Sequence, residues 1–246
     1  MSSYLSKRLS ALKPYVPGEQ PIGRKYIKLN TNESPYPPSP LVVDAIDKTA
    51  IEELKLYSDP DLRALIDALS KYYNVPKECI FCGNGSDEVL SFAFLAWGSD
   101  NGVAYPDISY GFYPVFAELY GLNSLVIPLN ESFEINLEQY NGFKGLIVFA
   151  NPNAPTGLIL PVHQIRELAK NNPQSVILVD EAYIDFGGET ALPLIFELNN
   201  VVVVRTFSKS RQLAGARLGY AFANAELISD LNRIKFSFNP YNVNRL

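Results

Sequence analysis

The chain has 246 residues, enough for one large domain or for one domain and part of a second. Hydrophobic residues make up 47% and charged residues 19%, a composition that supports a sizeable core and excludes wholesale disorder. A net charge of -5 without a basic run argues against binding to nucleic acid phosphates. The longest apolar runs are only strand-length, so we expect no membrane span. The N-terminus lacks the apolar core of a signal peptide, so we expect a cytoplasmic protein.

The first 40 residues are rich in proline, which fixes extended segments and disfavours helices. We therefore predict an irregular arm over residues 1–40 and a single larger domain over residues 41–246. Helical periodicity starts at residue 41 and again at residue 61, where apolar residues recur along one face. The apolar positions of the second helix are Leu62, Leu65, Ile66 and Leu69.

From residue 79 onward, short apolar runs alternate with helical stretches, which predicts an α/β fold. The clearest predicted strands are residues 145–150, 176–179, 200–205 and 218–221. Because strands with continuous apolar runs are buried on both faces, we predict a mainly parallel sheet sandwiched between helices.

Histidine and cysteine are rare, which restricts metal and nucleophile chemistry. His163 is the single histidine, and PVHQIRELAK predicts that it lies in the first turn of an amphipathic helix without a catalytic role. Cys79 and Cys82 form a C-x-x-C, the spacing of a redox pair or of half a metal site. No second ligand pair accompanies them, and we interpret them as reduced thiols on opposite faces of a strand.

Polar segments follow the predicted strands, at the edge where ligands bind in such sheets. The segments are GNGSDE (83–88), PDISYGFY (106–113), NPNAPTG (151–157), VDEAYIDF (179–186) and the stretch 201–220. In the first of them, Ser86 is predicted to cap a helix whose free N–H groups can bind an anion. Each segment alone also fits an ordinary structural turn.

Two of these segments contain residues with stronger chemical requirements. Asp180 and Glu181 end a buried apolar run, where a carboxylate needs a cation or hydrogen-bond donors. The stretch 201–220 brings a lysine, Lys209, together with hydroxyl groups and arginines that can bind a phosphate. A lysine close to other cations can act as an amine nucleophile that forms a Schiff base. A buried acid, such a lysine, a phosphate site and a stacking ring together match the needs of pyridoxal phosphate.

The motifs in this order resemble those of the fold-type I aminotransferases, and more narrowly those of the histidinol-phosphate aminotransferase family. The resemblance lies in GNGSDE, SYGFY, NPNAPTG, DEAY and TFSKSRQLAGARLG, with LNTNESPYPPSP and LYSDPDLRALIDAL as N-terminal signatures. It implies a large domain built on a seven-stranded sheet. It also implies pyridoxal 5'-phosphate as cofactor and transamination between histidinol phosphate and 2-oxoglutarate in histidine biosynthesis.

The resemblance implies three catalytic residues. Lys209 would form the Schiff base with the cofactor and then shuttle the proton of the transfer. Asp180 would pair with the ring nitrogen of the cofactor, and Tyr183 would hydrogen-bond its phenolate oxygen.

A second group of residues would bind the cofactor phosphate, namely Ser86, Asp87, Thr206, Ser208 and Arg217.

The remaining roles extend to the ring, the substrate and a second subunit. Tyr110 would stack on the cofactor ring, and Asn153 is a candidate contact to its phenolate oxygen. Tyr57 would reach the cofactor phosphate of the other subunit, which implies a homodimer with shared active sites. Tyr15 and Asn32 would bind substrate.

The sequence departs from the family pattern in two places. The family commonly has asparagine just before PTG, where this chain has Ala154, so either Asn153 substitutes or Tyr183 contacts the phenolate oxygen alone. Family members also continue for about another hundred residues into a small domain that supplies substrate-binding arginines. Without it we expect weak or absent transamination, because substrate positioning contributes several kcal/mol.

Two other functions remain open from the sequence. One is a phosphothreonine-type decarboxylase, or another class I aminotransferase, on the same scaffold. The other is a fragment that binds the cofactor without turnover.

Overall fold

The computed structural model describes residues 5–10, 12–13, 15–18, 23, 27–45 and 55–241. Within these ranges the helices are α1 (Lys7–Ser10), α2 (Pro40–Ala45), α3 (Arg63–Tyr73), α4 (Ser86–Gly98), α5 (Phe112–Tyr120), α6 (Val162–Asn171) and α7 (Ala225–Phe238). The strands are β1 (Ile80–Asn84), β2 (Val103–Pro106), β3 (Ser124–Ile127), β4 (Gly145–Ala150), β5 (Ser175–Asp180), β6 (Val201–Thr206) and β7 (Leu218–Phe222). Short 3-10 turns include Lys77–Cys79, Ile184–Phe186, Leu192–Phe196 and Ala214–Ala216.

The strands form one seven-stranded sheet in the order β1-β7-β6-β5-β4-β2-β3. β7 runs antiparallel to β1 and β6, and the other neighbouring pairs are parallel. The prediction of a mainly parallel sheet is therefore confirmed. Six of the strands end at the same edge, which gathers their following loops into one place.

Helices cover both faces of the sheet, as predicted. Alternate residues of β4 to β6, such as Ile147 and Val203, pack with α3 and α6 in one core cluster. The residues between them, such as Val148 and Val202, pack with α4, α5 and α7 in a second cluster. This division follows from strand geometry, because successive side chains point to opposite faces of a sheet.

Strand positions agree closely with the prediction, whereas helix starts agree less well. β4 has the predicted bounds, and β5, β6 and β7 differ from the prediction by one residue at one or both ends. α3 starts at Arg63 rather than at residue 61, because Leu62 adopts a left-handed conformation with φ 49°. Residues 46–54 of the first predicted helix lie outside the described residues, and Pro40–Ala45 is helical.

Three local predictions are wrong. Ser86 is the first residue of α4 rather than its cap, which is Gly85 with φ 78°. Cys79 ends the 3-10 turn before β1, so only Cys82 lies in the strand, although both thiols are free as expected. The arm contains one helical turn, α1, because its prolines come after residue 10 and do not oppose it. His163 lies in the first turn of α6, as predicted, and its side chain is exposed.

Among the described residues, no helix has both the length and the apolarity to span a bilayer.

Candidate active site

Asp180, the last residue of β5, is held at the shared strand edge by two hydrogen-bond donors. It is 3% exposed. Its Oδ2 accepts a hydrogen bond of 3.0 Å from the hydroxyl of Tyr113, and its Oδ1 accepts one of 3.2 Å from the amide of Ala182. Burial raises the pKa of Asp180 to about 7, against the effect of these donors and with a smaller contribution from the charge of Asp87. The carboxylate is therefore suited to a partner that brings a positive charge.

Tyr110 lies beside this carboxylate and is fixed through Asp87. The Tyr110 hydroxyl donates a 2.8 Å hydrogen bond to Oδ1 of Asp87, in the first turn of α4. Its ring meets that of Tyr113 edge-on, with centroids 5.7 Å apart. Burial, followed by the charge of Asp87, raises the pKa of Tyr110 far above its usual value, so the hydroxyl remains a donor. The predicted stacking residue and the predicted acid thus belong to one cluster.

The residues predicted to bind phosphate meet where α4 begins. Thr206, at the end of β6, donates from Oγ1 to Oγ of Ser208 over 2.9 Å, and the Ser208 amide donates back to Thr206 Oγ1 over 3.0 Å. Arg217 reaches across from the other end of the loop and places Nη2 3.4 Å from Oδ2 of Asp87. The first N–H groups of a helix have no intrahelical acceptor, so Ser86 and Asp87 add backbone donors here.

Two glycines make this approach of strands, helix and arginine possible. A Cβ on Gly85 would lie 2.5 Å from Nη2 of Arg217. A Cβ on Gly219, in β7, would lie 2.2 Å from the carbonyl carbon of Gly85 and from the amide nitrogen of Ser86. At Gly219 the close atoms are backbone and cannot move aside, whereas Gly85 favours glycine because of its positive φ of 78°.

Lys209 and Tyr183 lie against each other, and residues from the arm contact both. The Lys209 ammonium is 5.5 Å from the centre of the Tyr183 ring and donates a 3.0 Å hydrogen bond to the carbonyl of Thr31. Nδ2 of Asn32 donates to the Tyr183 hydroxyl over 2.9 Å. The hydroxyl proton of Tyr183 remains available for another acceptor. The predicted substrate residue Asn32 is therefore next to the predicted catalytic pair.

The side chain of Asn153 is engaged away from this pair. Its Nδ2 donates to the carbonyl of Ile108 over 3.0 Å and to Oγ1 of Thr156 over 3.1 Å, and its Oδ1 accepts from Ser109 over 3.0 Å. The amide group that contacts Tyr183 comes instead from Asn32. A cavity of about 310 Å³ borders Asn32, Tyr183 and Ala154.

Tyr15 and Tyr57 lie at different distances from this cluster. The Tyr15 ring packs on Phe112 with centroids 4.3 Å apart, next to Tyr110. Tyr57 is 79% exposed and stacks on Tyr241, at 4.5 Å between ring centroids. The structure therefore brings Tyr15 to the site, whereas Tyr57 faces solvent.

Sequence reasoning missed a buried ion pair behind Asp180. Glu181, 1% exposed, accepts a 3.0 Å hydrogen bond from Nε of Arg205, which is 7% exposed. The amide of Ala191 and the hydroxyl of Thr190 donate to the same carboxylate. Two features of the sequence point to the pair, namely an arginine directly after four valines and an acid after a buried strand. Both must find partners inside the protein.

Other features of the described residues do not compete with this site. No group of three or more potential metal ligands occurs among the described residues. A larger cavity of about 830 Å³ borders α6 and the segment around Asn136, and contains none of Asp180, Tyr183 or Lys209. Arg211, which the sequence placed in the phosphate loop, lies over the ring of Tyr72 and pairs with Asp185.

The residues present fit pyridoxal phosphate. A buried acid with a raised pKa suits a protonated ring nitrogen, and a lysine amine suits an aldehyde. The hydroxyl groups, backbone amides and arginine around Gly85 suit a phosphate. The three parts lie at one edge of the sheet, as one ligand requires.

Arg217 provides a test of the phosphate site. Replacing Arg217 with alanine removes a charge-assisted hydrogen bond. Because the side chain is 50% exposed, we expect the loss of binding free energy to lie at the low end of the range for such bonds. The cofactor Kd of Arg217→Ala should rise about tenfold, measured by absorbance titration of the apoprotein. Arg217→Lys should lose less, since it keeps the charge. Arg233→Ala, at an exposed position on α7, should bind normally, and an unchanged Kd for Arg217→Ala would contradict the assignment.

The chain is similar to proteins of known family. The family model described as aminotransferase class I and II matches residues 24–241. A histidinol-phosphate aminotransferase of Clostridium botulinum strain Hall is 50% identical over 247 residues, which cover 100% of this chain and 70% of that protein. Histidinol-phosphate aminotransferase 1 of Hydrogenovibrio crunogenus is 51% identical, over 100% of this chain and 69% of that protein.

A solved structure agrees with these relatives. The histidinol-phosphate aminotransferase of Sinorhizobium meliloti, in complex with pyridoxal-5'-phosphate, superposes with a TM-score of 0.86 and 27% identity. The match covers 100% of this chain and 69% of that one. The fold of this neighbour agrees with the fold described above, and its bound cofactor is the one that the site residues fit.

Proposed function

Because the chain belongs to the histidinol-phosphate aminotransferases, within the class I and II aminotransferases, we propose that it transfers the amino group of L-histidinol phosphate to 2-oxoglutarate in histidine biosynthesis. The cofactor is pyridoxal phosphate. The observation that carries the proposal is the contact of Lys209 with Tyr183 at the same sheet edge as the buried Asp180. It coincides with about 50% identity to enzymes of that name over the whole chain.

Pyridoxal phosphate, when bound, supplies an electron sink for the negative charge left on the substrate carbon. The carboxylate of Asp180 holds a proton at the ring nitrogen, and Tyr113 and Ala182 hold the carboxylate in place. Nζ of Lys209 would accept the proton from the substrate carbon and later return it, so that one amine serves first as base and then as acid. The hydroxyl of Tyr183, held by Asn32, donates to the phenolate oxygen.

The proposed contact of Tyr183 to the phenolate oxygen does not require a side-chain amide from the NPNAPTG loop. Ala154 has no polar side chain, and the amide of Asn153 is occupied by Ile108 and Thr156. Tyr183 therefore makes this contact in our proposal. Asn153 shapes the loop by holding the Ile108 carbonyl.

Substrate binds on the side of the arm in this proposal. Tyr15 packs on Phe112 beside Tyr110, which brings it to the site, and in this proposal its hydroxyl contacts the substrate phosphate. Asn32 contacts Tyr183 and borders the 310 Å³ cavity. Both residues belong to the proposed arm of residues 1–40, and residues from 41 onward form the proposed cofactor-binding domain.

We further propose a cytoplasmic homodimer in which Tyr57 reaches the cofactor phosphate of the second copy. The ring of Tyr57 is 79% exposed, although stacking on Tyr241 holds it in one orientation. A large exposed aromatic ring on an ordered loop is typical of an interface residue. Each copy would thus complete the phosphate site of the other.

A stoichiometric half-reaction tests the function. We expect the visible band of the bound cofactor to convert to the amine form when histidinol phosphate is added without an oxo acid, and 2-oxoglutarate to restore it. Because one turnover is enough for detection, even slow transfer is visible. Histidinol without its phosphate is the control and should react far less. Release of carbon dioxide from phosphothreonine would instead identify a decarboxylase, and a band that responds only to other amino acids would contradict the substrate.

A further inference from the structure

Lys235 is a buried lysine outside the active site. It lies in the last turn of α7 and is 3% exposed. Its Nζ donates a 2.7 Å hydrogen bond to the carbonyl of Pro60, which is 175 residues earlier in the chain. Lysine is almost never fully buried unless it has a partner, because removing the ammonium from water is costly. Burial lowers the pKa of Lys235, opposed by Cys82 and then by the carboxylates of Asp61, Glu88 and Asp59.

The carbonyl that Lys235 binds belongs to the loop that carries Tyr57. Within the loop, Oδ2 of Asp59 accepts hydrogen bonds from the backbone amide of Arg63 over 3.1 Å and from the Nε of Arg63 over 2.8 Å. The Tyr57 ring stacks on the ring of Tyr241, which follows α7 in the chain. The loop is therefore fixed at three points, and two of them are provided by α7 and the residues after it.

Apolar packing alone does not fix the loop at Pro60. A cavity of about 360 Å³ lies at this junction, bordered by Pro60, Leu62, Cys82 and Lys235. A segment beside a cavity of this size lacks close contacts on one side, so it can shift at low cost. The hydrogen bond from Lys235 is the directional contact at the Pro60 carbonyl, in addition to those that Asp59 makes with Arg63.

We propose that Lys235 is a positioning residue for Tyr57, acting through its hydrogen bond to the Pro60 carbonyl. The inference rests on the proposed function, in which Tyr57 contacts the cofactor phosphate of a second copy. A hydroxyl can donate to a phosphate oxygen only within a narrow range of distance and angle. A lysine that fixes the backbone three residues after Tyr57 keeps the hydroxyl within that range without touching the cofactor.

A double-mutant cycle on the full chain tests the proposal. The variants are Lys235→Met, Tyr57→Phe and the combination, and the measurement is the cofactor Kd from absorbance titration of each apoprotein. Tyr57→Phe removes a hydrogen bond to a charged group, so its Kd should rise about tenfold. Lys235→Met should raise Kd about fivefold, and the double variant should bind no more weakly than Tyr57→Phe, because coupled residues are not additive.

The thermal midpoint of each apoprotein separates positioning from stability. Methionine has a similar length but leaves the Pro60 carbonyl without this donor, so Lys235→Met should lose some stability as well as affinity. Should Lys235→Met not fold, Lys235→Arg keeps a cationic donor and should retain most of the affinity. The proposal would be overturned if Tyr57→Phe weakened cofactor binding while Lys235→Met left the Kd unchanged. It would also be overturned if the losses of affinity were additive in the double variant. An unchanged Kd for Tyr57→Phe would instead overturn the proposed role of Tyr57 itself.

Discussion

The Lys209→Ala variant should bind pyridoxal phosphate without a covalent bond and should lose transamination. Lys209 lies over the Tyr183 ring at 5.5 Å and has a single hydrogen-bond acceptor among the described residues, the Thr31 carbonyl. Its amine is thus held at the site by contacts that an incoming aldehyde can replace. Removing it eliminates the nucleophile and the group that moves the proton. The proton transfer alone is worth about 10²- to 10⁴-fold in rate.

Borohydride reduction followed by mass spectrometry measures the covalent bond directly. The unmodified chain should retain one cofactor on the peptide that contains Lys209, and the alanine variant should retain none. Lys209→Arg keeps the positive charge but lacks a suitable nucleophile, so it should also fail to be labelled. Lys170→Ala, at an exposed position in α6, should behave like the unmodified protein.

A label on another lysine would contradict the assignment of Lys209. So would transamination by Lys209→Ala at a rate comparable with that of the unmodified chain. Far-ultraviolet circular dichroism would identify a variant that fails to bind the cofactor because it does not fold.

The strands could be predicted from the sequence because their signal is local and strong. β4 to β6 are continuous apolar runs, and burial on both faces leaves no other arrangement for such segments. The start of α4 could not be predicted to the residue. Ser86 has the chemistry of a cap, but the cap is Gly85, whose positive φ of 78° favours glycine and whose backbone packs closely against Gly219.

The predicted site residues are sequence neighbours of strand ends, whereas the missed residues act through pairs far apart in the chain. Tyr113 binds Asp180 from 67 residues away, and Thr31 accepts from Lys209 across 178 residues. A motif identifies which residue type the chemistry needs. It carries no information about which distant side chain fixes that residue, since this depends on the packing of helices onto the sheet.

The Asp180→Asn variant should lose activity while its apoprotein becomes more stable at alkaline pH. An asparagine has the same shape, and its Oδ1 can accept a hydrogen bond from the Ala182 amide, while its Nδ2 faces the Tyr113 hydroxyl, which can turn to accept. It cannot carry the negative charge that holds a proton at the ring nitrogen. Loss of one such preorganised group costs about 10²- to 10³-fold in rate.

The gain in stability follows from the raised pKa of Asp180. This carboxyl titrates near 7 in the folded chain, against 3.8 for its ordinary value. Between these values the folded state holds a proton that the unfolded state has released, so the free energy of unfolding falls as pH rises, until it levels above pH 7. The gap corresponds to about 4 kcal/mol.

Because asparagine does not titrate, Asp180→Asn should lack this decline, and the two apoproteins should differ little near pH 4 and most near pH 8. Urea unfolding at a series of pH values measures the difference. Asp100→Asn, at an exposed position, should follow the unmodified protein. Equal stability of Asp180→Asn and the unmodified apoprotein at pH 8 would mean that a cation already compensates the buried carboxylate. The pairing with the ring nitrogen would then lose its electrostatic basis.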